Sequence, residues 1–252
     1  MLAQRGKTVL PFPPVKFIFI PWDFVLVLVF LAFIIPWRGT ARIKRLLSKP
    51  EISPADRLSL YASTIAFQWL LVFLVAWRVL VRGVGPEELG LAARDPWQVA
   101  LASIALTGLL CFNQIVGLRR VSKLPERNRG SVLTITERIL PRARKESLLF
   151  AVLALTAGVS EEFLYRGFVF MAFVRTMVNF APPIAFAAIL SSIWFSMAHL
   201  YQGRRGLITT FVVGLIFVGM RIWTGSLVPG MIAHFGIDLV AGIFGPRLLR
   251  NV

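Results

Sequence analysis

The chain has 252 residues, 57% of them hydrophobic and 16% charged, with a mean hydropathy of +0.74. A soluble domain of this size does not carry so apolar a composition, so the sequence describes a polytopic membrane protein. The net charge of +16 does not mark a nucleic-acid binder, because Lys and Arg cluster in short loops between apolar runs, where they orient the chain and meet anionic lipid headgroups.

The N-terminus carries Arg5 and Lys7, then the stretch PFPP, with no small-residue cleavage site of a signal peptide. Seven apolar runs follow: Trp22–Trp37, Leu58–Leu80, Trp97–Leu118, Ser147–Phe173, Pro183–Leu200, Leu207–Trp223 and Leu227–Phe244. Each approaches spanning length as a helix, some with help from their flanks. Trp22, Trp37, Trp77, Trp97 and Trp223 lie near run ends, as interfacial anchors do. Pro21, Pro36, Pro96, Pro182, Pro183 and Pro229 also fall at or near run ends, where a missing N–H disrupts least. The sole cysteine, Cys111, excludes an intramolecular disulfide. Between the third and fourth runs, Arg119–Glu146 is strongly basic and alternates charges with Leu, Val and Ile. It reads as an amphipathic connector on the membrane surface, or as a solvated loop. The expected fold is therefore an all-α, polytopic transmembrane bundle of about seven spans.

Loop charge sets the expected orientation. The first, third and fifth loops and the C-terminal tail hold 19 of the 28 Lys and Arg, and the opposite side holds 8, counting Arg78 and Arg221 at the ends of their runs. By the positive-inside rule the N-terminus is outside and the C-terminus cytoplasmic. The remaining basic residue, Arg166, lies inside an apolar run with Glu161 and Glu162, in TAGVSEEFLYRGFVF. Ionisable groups in such a setting are expensive and usually mark a site; the plain alternative is a buried ion pair that locks helices together. Both histidines fall in the apolar C-terminal third: His199 closes SSIWFSMAHL, and His234 lies in PGMIAHFGIDLV, four residues before Asp238. On a helix Phe195 shares a face with His199, and His234 with Asp238, which is placed to accept the ring N–H.

These groups can share peptide hydrolysis: a carboxylate takes a proton from water, a histidine holds that water, and a further polar pair stabilises the oxyanion. Two adjacent carboxylates are not both ionised cheaply in low dielectric, and Arg166 is placed to neutralise Glu162, leaving Glu161 free. Alternatively Glu161, His199 and His234 bind zinc and leave one position to water. Two non-proteolytic readings stand beside these. The cluster could form a proton or ion pathway in a non-catalytic membrane protein, or the two histidines could be axial haem ligands, which would leave the glutamates unexplained.

Glu161-Glu162-x-x-x-Arg166, Phe195-x-x-x-His199 and His234-x-x-x-Asp238, in that order and on separate runs, resemble the three motifs of the CPBP intramembrane proteases. These are the CAAX-prenyl endopeptidase and bacteriocin-processing proteins, also called the Abi family. Gly158, Gly167 and the Thr224–Leu227 stretch add to the likeness, which covers roughly Pro141 to Leu239. The resemblance implies an all-helical fold with its site in an intramembrane cavity, a catalytic core over 141–252, and N-terminal spans and connector over 1–140 that carry no motif. It implies Glu161 as general base with His199 its partner on the water, His234 and Asp238 as the oxyanion group, Glu162 and Arg166 as an orienting pair, and Phe195 as packing. It leaves zinc or no cofactor open. The expected partners are the lipid bilayer and a peptide or protein substrate, with no nucleic acid; the compact chain and its basic loops suit a multi-pass protein of the bacterial cytoplasmic membrane. The third motif often ends in Asn. An ionised Asp238 cannot donate to an oxyanion, so it is either protonated or orients His234. Simple alternation of spans separates His199 from His234 in depth, so the Tyr201–Gly206 loop is expected to dip inward.

Overall fold

Proline and polar caps start the helices. In the computed structural model, which describes residues 20–93, 95–123, 138–176 and 182–250, helix α1 runs Trp22–Leu47. Helix α2, Pro54–Val81, opens with Pro54 after a capping box: Ser53 Oγ accepts from the Asp56 N–H at 3.1 Å, and Asp56 Oδ2 accepts from the Ser53 N–H at 3.0 Å. Helix α3, Pro96–Ser122, begins the same way, with Asp95 accepting from the Trp97 N–H at 2.9 Å. Helices α4 (Arg144–Thr176), α5 (Pro183–Ala198), α6 (Gly203–Thr224) and α7 (Val228–Arg250) complete an all-α bundle. Six of these helical segments are long and apolar enough to cross a membrane; α5, with 16 residues, is shorter.

Helix α4 is central. Every residue from Glu162 to Phe173 is buried. Phe168 and Val169 pack with Phe24 and Leu31 of α1, Val75 and Val79 of α2, and Phe195 of α5. Helix α2 lies along α4, α3 along α7, and α5 along α6. Leu70, Phe73 and Trp77 of α2 and Leu101, Ile104 and Phe112 of α3 face outward, the surface a bilayer covers. All five tryptophans expected at the interfaces are exposed.

Two expectations change. Pro36 does not end the first helix. A π-helical turn, Phe30–Ile34, stands just before it, and its wider spacing accommodates the ring that an α-helix would set against a carbonyl one turn back. The helix then continues to Leu47 as a basic amphipathic segment. Secondly, the ends of the Arg119–Glu146 connector belong to α3 and α4, and residues 124–137 lie outside the described residues. Glu146 is buried, not on a polar surface, because it meets Arg57 of α2. In the Tyr201–Gly206 loop Arg204 and Arg205 are exposed, Tyr201 and Gln202 half-buried and Gly206 buried; a second connection, the α6–α7 turn, is sunk into the protein. There Thr224, Ser226 and Leu227 are buried, and the Leu227 N–H donates to Gly90 O at 2.8 Å. That turn starts α7 deep, while short α5 ends at Ala198, inside the bundle. Both histidines reach the same carboxylate, with Nε2 of His199 and of His234 at 3.9 and 4.0 Å from Glu161 Oε2.

Candidate active site

Glu161 is the eighteenth residue of α4, close to the middle of its 33, and there the helix changes. From Glu162 to Val169 it is π-helical. Each turn takes in an extra residue, a distortion that recurs at functional sites. Two glycines let neighbouring backbone and side chains close in. A Cβ on Gly158 would lie 2.8 Å from Met231 O of α7, and one on Gly230 would lie 2.9 Å from Glu162 Oε2. A methyl at Gly158 would meet backbone, and one at Gly230 would push on the Glu162 carboxylate.

The residues of the three motifs converge here. Arg166 is wholly buried and pairs with Glu162 across one turn, Nη1 to Oε1 at 2.9 Å. Its guanidinium carbon stands 3.9 Å from the centre of the Phe195 ring and 5.3 Å from that of Phe217, which offsets part of its desolvation. Glu162 Oε1 also meets His234 Nδ1 at 3.1 Å. Phe195 packs against both imidazoles, with ring centres 4.7 Å from His199 and 5.9 Å from His234. Asp238 shares a face with His234, but its Oδ2 is 3.7 Å from Nε2, beyond hydrogen-bond reach. The ring contact expected of Asp238 is made instead by Glu162, which approaches Nδ1 from the neighbouring helix.

Glu161 differs from Glu162. Its Oε2 is buried with no hydrogen-bond partner. That oxygen lies 3.9 Å from His199 Nε2 and 4.0 Å from His234 Nε2. His199 Nδ1 faces the Phe195 carbonyl at 2.9 Å. A carbonyl only accepts, so Nδ1 carries a proton, and when the ring is neutral Nε2 presents its lone pair toward Glu161. A water about 2.8 Å from both Glu161 Oε2 and His199 Nε2 would hold them at roughly a right angle. Zinc is a poorer match. A tetrahedral ion about 2.0–2.2 Å from each donor sets neighbouring ligand atoms about 3.3 Å apart, closer than the 3.9 and 4.0 Å observed. Among the described residues no trio of His, Cys, Asp or Glu is assembled to hold a metal.

These groups open onto a cavity of about 1030 Å³. Its inner wall holds Glu161, His199, His234 and Asp238; its flanks are apolar, with Leu71, Phe150 and Leu164; and Arg38, Arg42 and Arg45 of α1 also line it. Tyr201 and Gln202, on the Leu200–Gln202 turn after His199, line it too.

One participant is not in any motif. Gln68 of α2 donates from Nε2 to Glu161 Oε1 at 2.8 Å. The signal was present in the sequence as an amide in the middle of the apolar run Leu58–Leu80. What the sequence lacks is any sign that α2 lies against α4 at this level.

Residues 143–240 match the family model described as Type II CAAX prenyl endopeptidase Rce1-like. The matched stretch contains every residue of the three motifs and excludes Gln68. No curated protein and no solved structure gives a significant match to the chain.

Proposed function

We propose that this chain, whose residues 143–240 match the model of Rce1-like CAAX prenyl endopeptidases, is an intramembrane endopeptidase of the CPBP family. The observation that carries the reading is Glu161 Oε2, buried, unpartnered and about equally distant from the Nε2 atoms of His199 and His234 on the wall of a cavity. A free carboxylate oxygen beside an imidazole lone pair is the arrangement that activates water.

In the proposed reaction a water lies between Glu161 Oε2 and His199 Nε2. Glu161 takes one proton as the water oxygen bonds to the scissile carbonyl carbon. Charge gathers on the carbonyl oxygen, which faces His234 and Asp238, and a donor there lowers the barrier. The tetrahedral intermediate collapses, the C–N bond breaks, and the leaving nitrogen receives the proton held by Glu161. Glu162 and Arg166 act as a fixed pair: the arginine neutralises the carboxylate, and the carboxylate holds the His234 ring by Nδ1. Phe195 supports Arg166 and spaces the two imidazoles. Asp238 contributes at the oxyanion as a protonated donor, a role an amide would fill without a proton.

The substrate of this reading is a peptide that reaches the cavity from the membrane or its edge. With the N-terminus outside, the arginines of α1 lie on the cytoplasmic side, so the substrate enters from the cytoplasm. Reconstitution in liposomes with an internally quenched, farnesylated peptide ending in a CAAX sequence tests the reading. Wild type is expected to cleave it, and Glu161→Gln to lose about 10³-fold or more in kcat. A Glu161→Gln protein that cleaves as fast as wild type would contradict Glu161 as the base.

A further inference from the structure

Gln68 stands outside the matched family core, yet it is the residue that distinguishes the two oxygens of Glu161. Its Nε2 donates to Oε1 at 2.8 Å, so Oε2 alone is left to face the histidines. An amide suits this task. A lysine or arginine there would neutralise the base, whereas a neutral donor orients it and leaves its charge available.

The other half of the amide is unused. Gln68 Oε1 is buried and has no hydrogen-bond partner. The orientation is not arbitrary: turning the amide over would set its carbonyl oxygen against the Glu161 carboxylate. With the NH₂ group committed to Glu161, the carbonyl oxygen is left as an unpaired acceptor on a residue that lines the cavity with Glu161, His199 and His234. A buried acceptor without a donor is costly, and such an exception in a site calls for a partner. Gln68 is not needed as the fastening between α2 and α4. The next residue provides one, with Trp69 Nε1 donating to Thr156 Oγ1 at 3.3 Å.

We propose that Gln68 is a positioning residue and a substrate contact: its NH₂ fixes Glu161 so that Oε2 takes the proton, and its carbonyl oxygen accepts a backbone N–H of the bound peptide. The inference rests on the endopeptidase reading above. It assigns the peptide main chain as the ligand of an acceptor that no motif residue supplies, and it makes the N-terminal spans part of the site.

The test uses the full-length protein in liposomes and the same quenched farnesylated peptide, in the all-amide form and in a series with one backbone amide replaced by an ester. Gln68→Met keeps the volume and removes both amide functions. It is expected to lower kcat about 10–100-fold, the effect of a misplaced base, and to raise KM about 5-fold, the effect of one lost hydrogen bond. One ester position is expected to raise the wild-type KM by the same factor and to leave that of Gln68→Met unchanged. Trp69→Phe, which loosens the same helix pair, is expected to lower the unfolding midpoint without moving KM. If Gln68→Met loses activity in proportion to folded protein, with KM unchanged and all esters acting alike in both proteins, Gln68 is only structural and the inference is overturned. A wild type that cleaves neither this probe nor any membrane peptide overturns the endopeptidase reading, and the inference with it.

Discussion

Two buried charge clusters tie α4 to its neighbours, and they are built on opposite plans. At the start of α4, Arg57 is fully engaged: Nε and Nη2 donate to Glu146 at 2.9 and 3.1 Å, and Nη1 donates to Ile52 O at 2.8 Å. Glu146 Oε2 also accepts from the Arg142 N–H at 2.7 Å. At the middle of α4, Glu161 Oε2, Gln68 Oε1, Ser160 Oγ and two nitrogens of Arg166 have no hydrogen-bond partner. The first cluster is closed and needs nothing more. The second is held open, its carboxylate fixed by one oxygen and free at the other. Burial of charge alone does not separate a structural ion pair from a reactive site; the difference lies in which groups are left to act.

Mutation should separate the two clusters cleanly. Glu161→Gln is expected to abolish turnover, by about 10³-fold or more, while its unfolding midpoint stays within a degree or two of wild type or rises. Glu146→Gln is expected to do the reverse. An Arg57 left without its charge partner costs about 3–5 kcal/mol, read as a large drop in unfolding midpoint, with kcat per folded molecule unchanged. If Glu146→Gln instead stopped turnover in well-folded protein, the closed cluster would belong to the chemistry and the contrast would fail.

Smaller changes sharpen the comparison. Gly158→Ala forces a methyl against Met231 O and Phe235 N, which lie 2.8 and 3.0 Å from its position. The expected cost is about 1–3 kcal/mol, as for other overpacked contacts, read by thermal unfolding. Gly230→Ala pushes on Glu162 and through it on His234, so kcat should fall about 10-fold or more with little loss of stability. Asp238→Asn is expected to have the smallest effect, with activity retained within a few-fold. The amide donates to an oxyanion without first being protonated, and Glu162 already orients His234. A dead but folded Asp238→Asn would mean that the carboxyl itself is required.

Much of this arrangement is legible along the chain, because its signals are local. Length and apolarity mark each helix, and Pro54, Pro96 and Pro183 stand at helix starts where the missing N–H costs nothing. Glu162 with Arg166, and Phe195 with His199, are one turn apart, so spacing alone pairs them. The parts that are not legible depend on contacts distant in sequence. Gln68 and Glu161 are separated by 93 residues, and Arg57 and Glu146 by 89. Nothing near Glu146 distinguishes it from the basic stretch in which it lies. The π-helical segment from Glu162, which carries a wholly buried arginine, has no propensity signature. The Thr224–Leu227 turn that precedes the helix of His234 is buried, and apolar composition does not say which loop is buried.

The most direct measurement compares newly formed peptide termini in membranes of host cells that carry wild type or Glu161→Gln at equal abundance. The substitution keeps shape and removes the base. Termini present only with wild type are the predicted result, and they would identify the substrate as well as the reaction. Identical termini from two folded, inserted proteins would contradict the endopeptidase reading and leave the open cluster as an ion-binding or structural one.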